Sequence, residues 1–180
     1  MPEEYILYNG PSDPESLQRA LRSWSWAAGP VGEMFPLVLV GLTNEAEGLV
    51  NSLAAELKID QSVSVPANIQ PSMLAGLYRQ ATAIFHPADA PVWAGALRLA
   101  LGFGKAYVGI DTGTVAAMAG PAAILVEERD TRRLGASLIG VVVKEELRRQ
   151  LETAAVERSR SWNRAGFGRA LYEIYLKFRK

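Results

Sequence analysis

The 180-residue sequence contains no cysteine and a single histidine. Disulfide frameworks, thiolate zinc sites, cysteine nucleophiles and histidine-rich metal clusters are therefore excluded. No stretch approaches the roughly 18 uninterrupted apolar residues of a membrane-spanning helix. The opening MPEEYILYNG has neither the basic region nor the apolar run of a secretory signal. These absences lead us to expect a cytoplasmic chain that does not cross a membrane. Charge of one sign is lacking too, because 19 Lys and Arg balance 19 Asp and Glu. The balance conceals an asymmetry. Residues 1–143 carry 9 basic and 14 acidic groups, a net −5, and residues 144–180 carry 10 and 5, a net +5. The basic end alternates its charges as KEELRRQLE without interleaved aromatics. That is the pattern of a solvated helix face, so we expect no nucleic-acid partner.

With 49% hydrophobic residues and no repeat, low-complexity tract or Pro-rich linker, the chain reads as one globular domain spanning 1–180. Apolar runs at Tyr5–Tyr8, Pro36–Val40, Val63–Val65, Ala83–Phe85, Ala106–Gly109 and Ala123–Val126 predict six short strands, each bounded by Gly, Pro, Asn or Asp. Helical stripes fill the gaps. Leu17, Leu21 and Trp24 follow a Ser12-Asp13-Pro14 start, Leu49, Leu53 and Leu57 repeat every four residues, and Leu74, Leu77 and Tyr78 follow Pro71. Leu97, Ala100 and Leu101 form a further stripe that Gly102 and Gly104 end. Strand and helix alternating at this spacing imply βαβ units, hence an α/β, Rossmann-like, doubly wound sheet that is mainly parallel, with helices on both faces. Beyond residue 130 only helical patterns remain, near Asp130–Ala155 and Trp162–Phe178. The second carries Leu171, Ile174, Tyr175 and Phe178 on one face. Such a face either caps the domain's own core or serves as a docking face, including for a homo-oligomer.

Local motifs for chemistry are sparse. Gly102-Phe103-Gly104 lacks the third glycine of a dinucleotide fingerprint and sits where a helix ends, and neither GxxxxGK[ST] nor GxSxG occurs. Asp111-Thr112-Gly113 matches the tripeptide of aspartic proteases, but it lies between a strand and a helix pattern, where Asp and Thr are ordinary helix starters. His86 follows the strand Ala83–Phe85 and precedes Pro87, at the carboxyl end of a strand, where open α/β sheets bind ligands; a structural and a ligand-facing histidine both fit that position.

The order of segments resembles the C-terminal domain of GT-B glycosyltransferases, in particular family 4 (group 1). YILYNGPSDPESLQRAL is similar to the opening strand, glycine turn and first helix of that family, and PLVLVG to its second strand. MLAGLYRQATAIFHPA resembles its signature helix and strand. ALGFGKAYVGID, GPAAILVEERD and RSWNRAGFGRALYEIY are similar to the segments that follow, the last being the tryptophan-marked terminal helix. The resemblance implies the half of a retaining two-domain enzyme that grips a nucleotide-sugar, with the acceptor bound by a separate N-terminal domain or by a partner glycosyltransferase subunit. It implies a nucleotide-sugar as substrate, with no cofactor and no protein-bound metal.

The positions that carry the family's chemistry are replaced. Its paired glutamates fall on Pro91 and Leu99, around a loop that reads Val92-Trp93-Ala94-Gly95. Its arginine falls on Pro11 after Gly10, its lysine on Glu15 or Ser16, its glycine before the signature helix on Ala67, and a later glutamate near Ala117. No catalytic residue can be carried over, and a degenerate site is expected. A donor diphosphate could still rest on the backbone N–H groups of Trp93, Ala94 and Gly95, since a helix N-terminus attracts anions without side chains. Gly10 would permit close approach, and Asp13, Asn68, Arg98 or Lys105 would serve as substitute partners. The alternative is a catalytically inactive scaffold or interaction domain on the same fold.

Overall fold

The computed structural model describes residues 2–88, 94–126 and 130–160, together with the isolated helical positions 169, 172, 175 and 176. All six predicted strands form: β1 (Ile6–Tyr8), β2 (Leu37–Leu39), β3 (Val63–Ser64), β4 (Ala83–His86), β5 (Ala106–Ile110) and β6 (Ala123–Val126). They pair in the order β3-β2-β1-β4-β5-β6, every pair parallel. The sheet is thus entirely parallel.

Because side chains alternate across a pleated strand, each buried strand feeds two cores. Ile6, Leu37, Leu39, Phe85 and Val108 face one side with Trp24, whereas Tyr5, Leu7, Val38, Ile84 and Tyr107 face the other with Tyr78 and Leu97. The first layer holds α1 (Pro14–Val31), α2 (Asn44–Glu56) and α6 (Thr131–Val143). The second holds α3 (Pro71–Gln80), α4 (Ala94–Gly102) and α5 (Thr114–Ala119). Helix α7 (Glu145–Arg160) contributes Leu151 to one core and Ala155 to the other.

The helix signals resolve into specific contacts. Asp13 caps α1 by accepting from the Ser16 N–H at 2.9 Å, Pro14 is the first helical residue, and Leu17, Leu21 and Trp24 are fully buried. Trp24 Nε1 donates to Ser62 Oγ at 3.0 Å, so the buried indole keeps its hydrogen bond. At the end of α4, Gly104 takes φ +64° and its N–H bonds the Leu101 carbonyl at 3.0 Å, the left-handed exit for which glycine is suited. Asp111-Thr112-Gly113 is a turn and helix start, with Asp111 Oδ1 accepting from the Gly113 N–H at 2.8 Å.

Leu49, Leu53 and Leu57 pack half-buried on the core beside the fully buried Ala46, Val50 and Ala54 of α2, whose small side chains let the helix lie close to the sheet. One expectation needs correction. The single helical pattern over Asp130–Ala155 is two helices broken at Lys144, where φ is −94° and ψ is 87°. One straight helix could not bury Leu138 and Val141 against α1 while also placing Ala155 in the opposite layer, and three consecutive valines at 141–143 weaken helical continuity there. The pattern over Trp162–Phe178 lies almost wholly outside the described residues; of its positions Tyr172, Tyr175 and Leu176 are exposed. Among the described residues no helix is long and apolar enough to cross a membrane.

Candidate functional site

From β1 the chain moves outward through β2 to β3, then returns to place β4 on the other side of β1. The gap between the carboxyl ends of β1 and β4 is where the strand order reverses, and such a crevice is where open α/β sheets bind ligands. Asn9-Gly10-Pro11 leaves β1 there and His86-Pro87-Ala88 leaves β4.

Buried polar side chains crowd this edge. The Tyr8 hydroxyl donates to the Pro11 carbonyl at 2.6 Å and so closes the β1–α1 turn; burial, with the nearby Asp13 charge, pushes its phenol up against the opposing pull of Arg19. Asn9 Nδ2 donates to the Tyr78 hydroxyl at 3.2 Å. His86 Nδ1 and the Tyr107 hydroxyl are 3.0 Å apart. His86 is 2% exposed, and burial lowers its pKa to about 4, so the imidazole is neutral near pH 7. Burial likewise pushes the Tyr107 phenol up. Gly10 is required here by packing and not by its dihedral: an added Cβ would stand 2.8 Å from Tyr8 Cζ and 3.1 Å from His86 Cδ2. Arg19, 9% exposed, sends Nη1 to the Pro87 carbonyl at 3.0 Å and Nη2 to Glu15 at 2.6 Å, tying α1 to the exit from β4.

The residues proposed from sequence fall unevenly on this edge. Gly10 is at its centre. Asp13 is exposed and committed to capping α1; partial burial raises its pKa, but hydrogen bonds around Ser16 outweigh that and hold the carboxyl below its ordinary value. Ala94 and Gly95 open α4, Gly95 exposed with nothing within 4 Å of an added Cβ, and Arg98 is exposed one turn further on. Trp93 lies outside the described residues. Asn68 occupies an exposed turn before α3 with φ +59°, a left-handed conformation that Asn tolerates. It follows β3, which lies two strand positions from β1. Lys105 cannot take part. It precedes β5 and therefore lies at the amino edge of the parallel sheet, half-buried near Glu152 and Arg148, where desolvation lowers its pKa.

The sequence reading missed Tyr8, Asn9, Arg19, Tyr78 and Tyr107. Tyr8 ends a strand at the carboxyl edge, a position that could have flagged its hydroxyl. The Arg19 contact with Pro87 spans 68 residues and has no sequence signal.

No family model matches the chain, and none of the curated proteins is similar to it. Solved structures are. A sucrose-phosphate synthase from Thermosynechococcus elongatus superposes with a TM-score of 0.80 at 19% identity over 97% of this chain and 45% of its own. The C-terminal domain of a glycosyl transferase group 1 family protein, LpcC, from Francisella tularensis does so with 0.76 at 12% identity, over 89% of this chain and 87% of its own. The fold is that of a GT-B glycosyltransferase C-terminal domain. A glycosyltransferase from Rickettsia africae matches with 0.75 at 16% identity over 96% of this chain and 48% of its own. The chain therefore spans about half the length of the two longer GT-B proteins.

Proposed function

We propose that residues 1–180 form the nucleotide-sugar-binding half of a cytoplasmic group 1 glycosyltransferase, acting with an acceptor-binding domain supplied from outside this sequence. The observation that carries this reading is the crevice between β1 and β4, in a GT-B domain, with the Gly10 turn on one side and the start of α4 on the other. The N-terminus of α4 supplies backbone N–H groups and a positive dipole end, which suit a diphosphate. The exposed Arg98 guanidinium, one turn into that helix, adds charge. On this reading the half binds and orients the donor, a nucleotide-sugar taken as substrate with no cofactor and no protein-held metal, and no catalytic group is assigned to it.

A second reading has support of its own. The N-terminal turn of α1 presents Glu15 where the family resemblance calls for a lysine, with the acidic Asp13 beside it, and Arg19 is engaged with Glu15 and Pro87. Coulomb repulsion there would disfavour a diphosphate and suit a non-catalytic partner domain. Calorimetric titration with UDP, GDP and ADP, without and with magnesium at low salt, separates the two. Binding of one base, weakened by roughly tenfold or more in Arg98→Ala as expected for a lost charged hydrogen bond, supports the donor half. Silence for all three on folded protein refutes it in favour of the partner domain.

A further inference from the structure

Among the described residues, His86 Nε2 is the one buried side-chain nitrogen or oxygen without a hydrogen-bond partner. Leaving such a group unpaired is costly, and an apolar ring would avoid that cost. The rest of the ring is well placed. Burial keeps the Tyr107 phenol protonated, and His86 is its hydrogen-bond partner, so the hydroxyl donates to Nδ1 and the proton of the neutral imidazole is assigned to Nε2. The ring edge carrying Cδ2 and Nε2 lies against the β1–α1 turn, with Cδ2 3.1 Å from the point where a Cβ on Gly10 would stand. A fixed N–H donor therefore sits at the place where the strand order reverses, beside a residue that has no side chain.

We infer that His86 Nε2–H is a ligand-positioning donor of the crevice between β1 and β4, taking an acceptor oxygen of a nucleoside diphosphate. The inference rests on the donor-binding reading for its choice of ligand. Tyr107 holds the imidazole through Nδ1, and Gly10, packed against Tyr8 and the His86 ring, lets the β1–α1 turn lie directly on the ring edge that carries Cδ2 and Nε2. The donor is neutral, so it selects by hydrogen bonding without needing the cations that Pro11 and Glu15 replace.

Because His86 is the chain's one histidine, its ring nitrogens give unambiguous ¹⁵N resonances in the unaltered protein. The expected result is that saturation with UDP, GDP or ADP moves the Nε2 resonance while Nδ1 stays close to its free position. Inorganic phosphate and uridine, titrated separately, then tell a phosphate oxygen from a nucleoside oxygen by which of them reproduces the shift. His86→Phe combined with Tyr107→Phe, which leaves neither buried polar atom unpaired, is expected to weaken nucleotide binding by about tenfold without lowering the melting temperature. Nucleotide binding that leaves both ring nitrogens unmoved overturns the inference alone and leaves the donor-binding reading standing. Failure of all three nucleotides to bind overturns both.

Discussion

Acid should destabilise this fold through one side chain. Burial holds the pKa of His86 at about 4 in the folded state, below its ordinary value of 6.5. The unfolded chain therefore takes up the proton first. Stability from the neutral ring is complete above pH 6.5, is lost as the pH falls through the window down to about 4, and changes no further below it. The displacement from 6.5 to about 4 corresponds to about 3 kcal/mol, and about 2 kcal/mol of that is lost between about pH 7.5 and about pH 5. Urea unfolding of the native sequence and of His86→Gln at those two pH values measures it directly. The native protein should lose about 2 kcal/mol more than the variant on acidification, whatever the difference between them at neutral pH. With no second histidine, the difference has no other imidazole to arise from. Equal losses in the two proteins would refute the reasoning and place the ring in contact with water.

Three further substitutions probe the packing around the sheet. Gly135→Ala would put a Cβ 2.6 Å from the Ser23 carbonyl oxygen and 2.6 Å from Trp26 Cβ, forcing α6 away from α1. We expect a loss of about 1–3 kcal/mol in thermal or urea unfolding, whereas Gly140→Ala, with nothing within 4 Å, should be neutral or better. Arg19→Met keeps the stem but leaves the Pro87 carbonyl without its charged donor. It should lower stability by about 1.5–3 kcal/mol, seen as a melting temperature reduced by about 3–12 °C, and an unchanged melting temperature would show that α1 does not hold the exit of β4.

The alternation of short apolar runs with amphipathic stripes was enough to place all six strands and the helices between them. Strand and helix periods are local properties, and turn residues such as Ser12-Asp13-Pro14 and Gly104 act within a few residues of where they stand. Gly10 was named from the family resemblance, and it stands two residues after β1, at the edge where the strand order reverses. The break at Lys144 was not legible, because a helical stripe continues across it. What ends α6 is the need of Leu138 and Ala155 to reach opposite layers. Nor could the sequence tell that Lys105 lies on the wrong edge of the sheet for the site until every strand was known to run the same way.

The sequence by itself determined the elements, their α/β class and the composition-based exclusions. Each of these follows from residue types and short-range spacing. Only the tertiary structure decided the strand order that opens a crevice between β1 and β4, and with it the company that His86 keeps. Tyr107 reaches His86 from 21 residues away and Arg19 reaches Pro87 from 68. Contacts of that range depend on which strands become neighbours, and that is settled by burying both faces of the sheet at once.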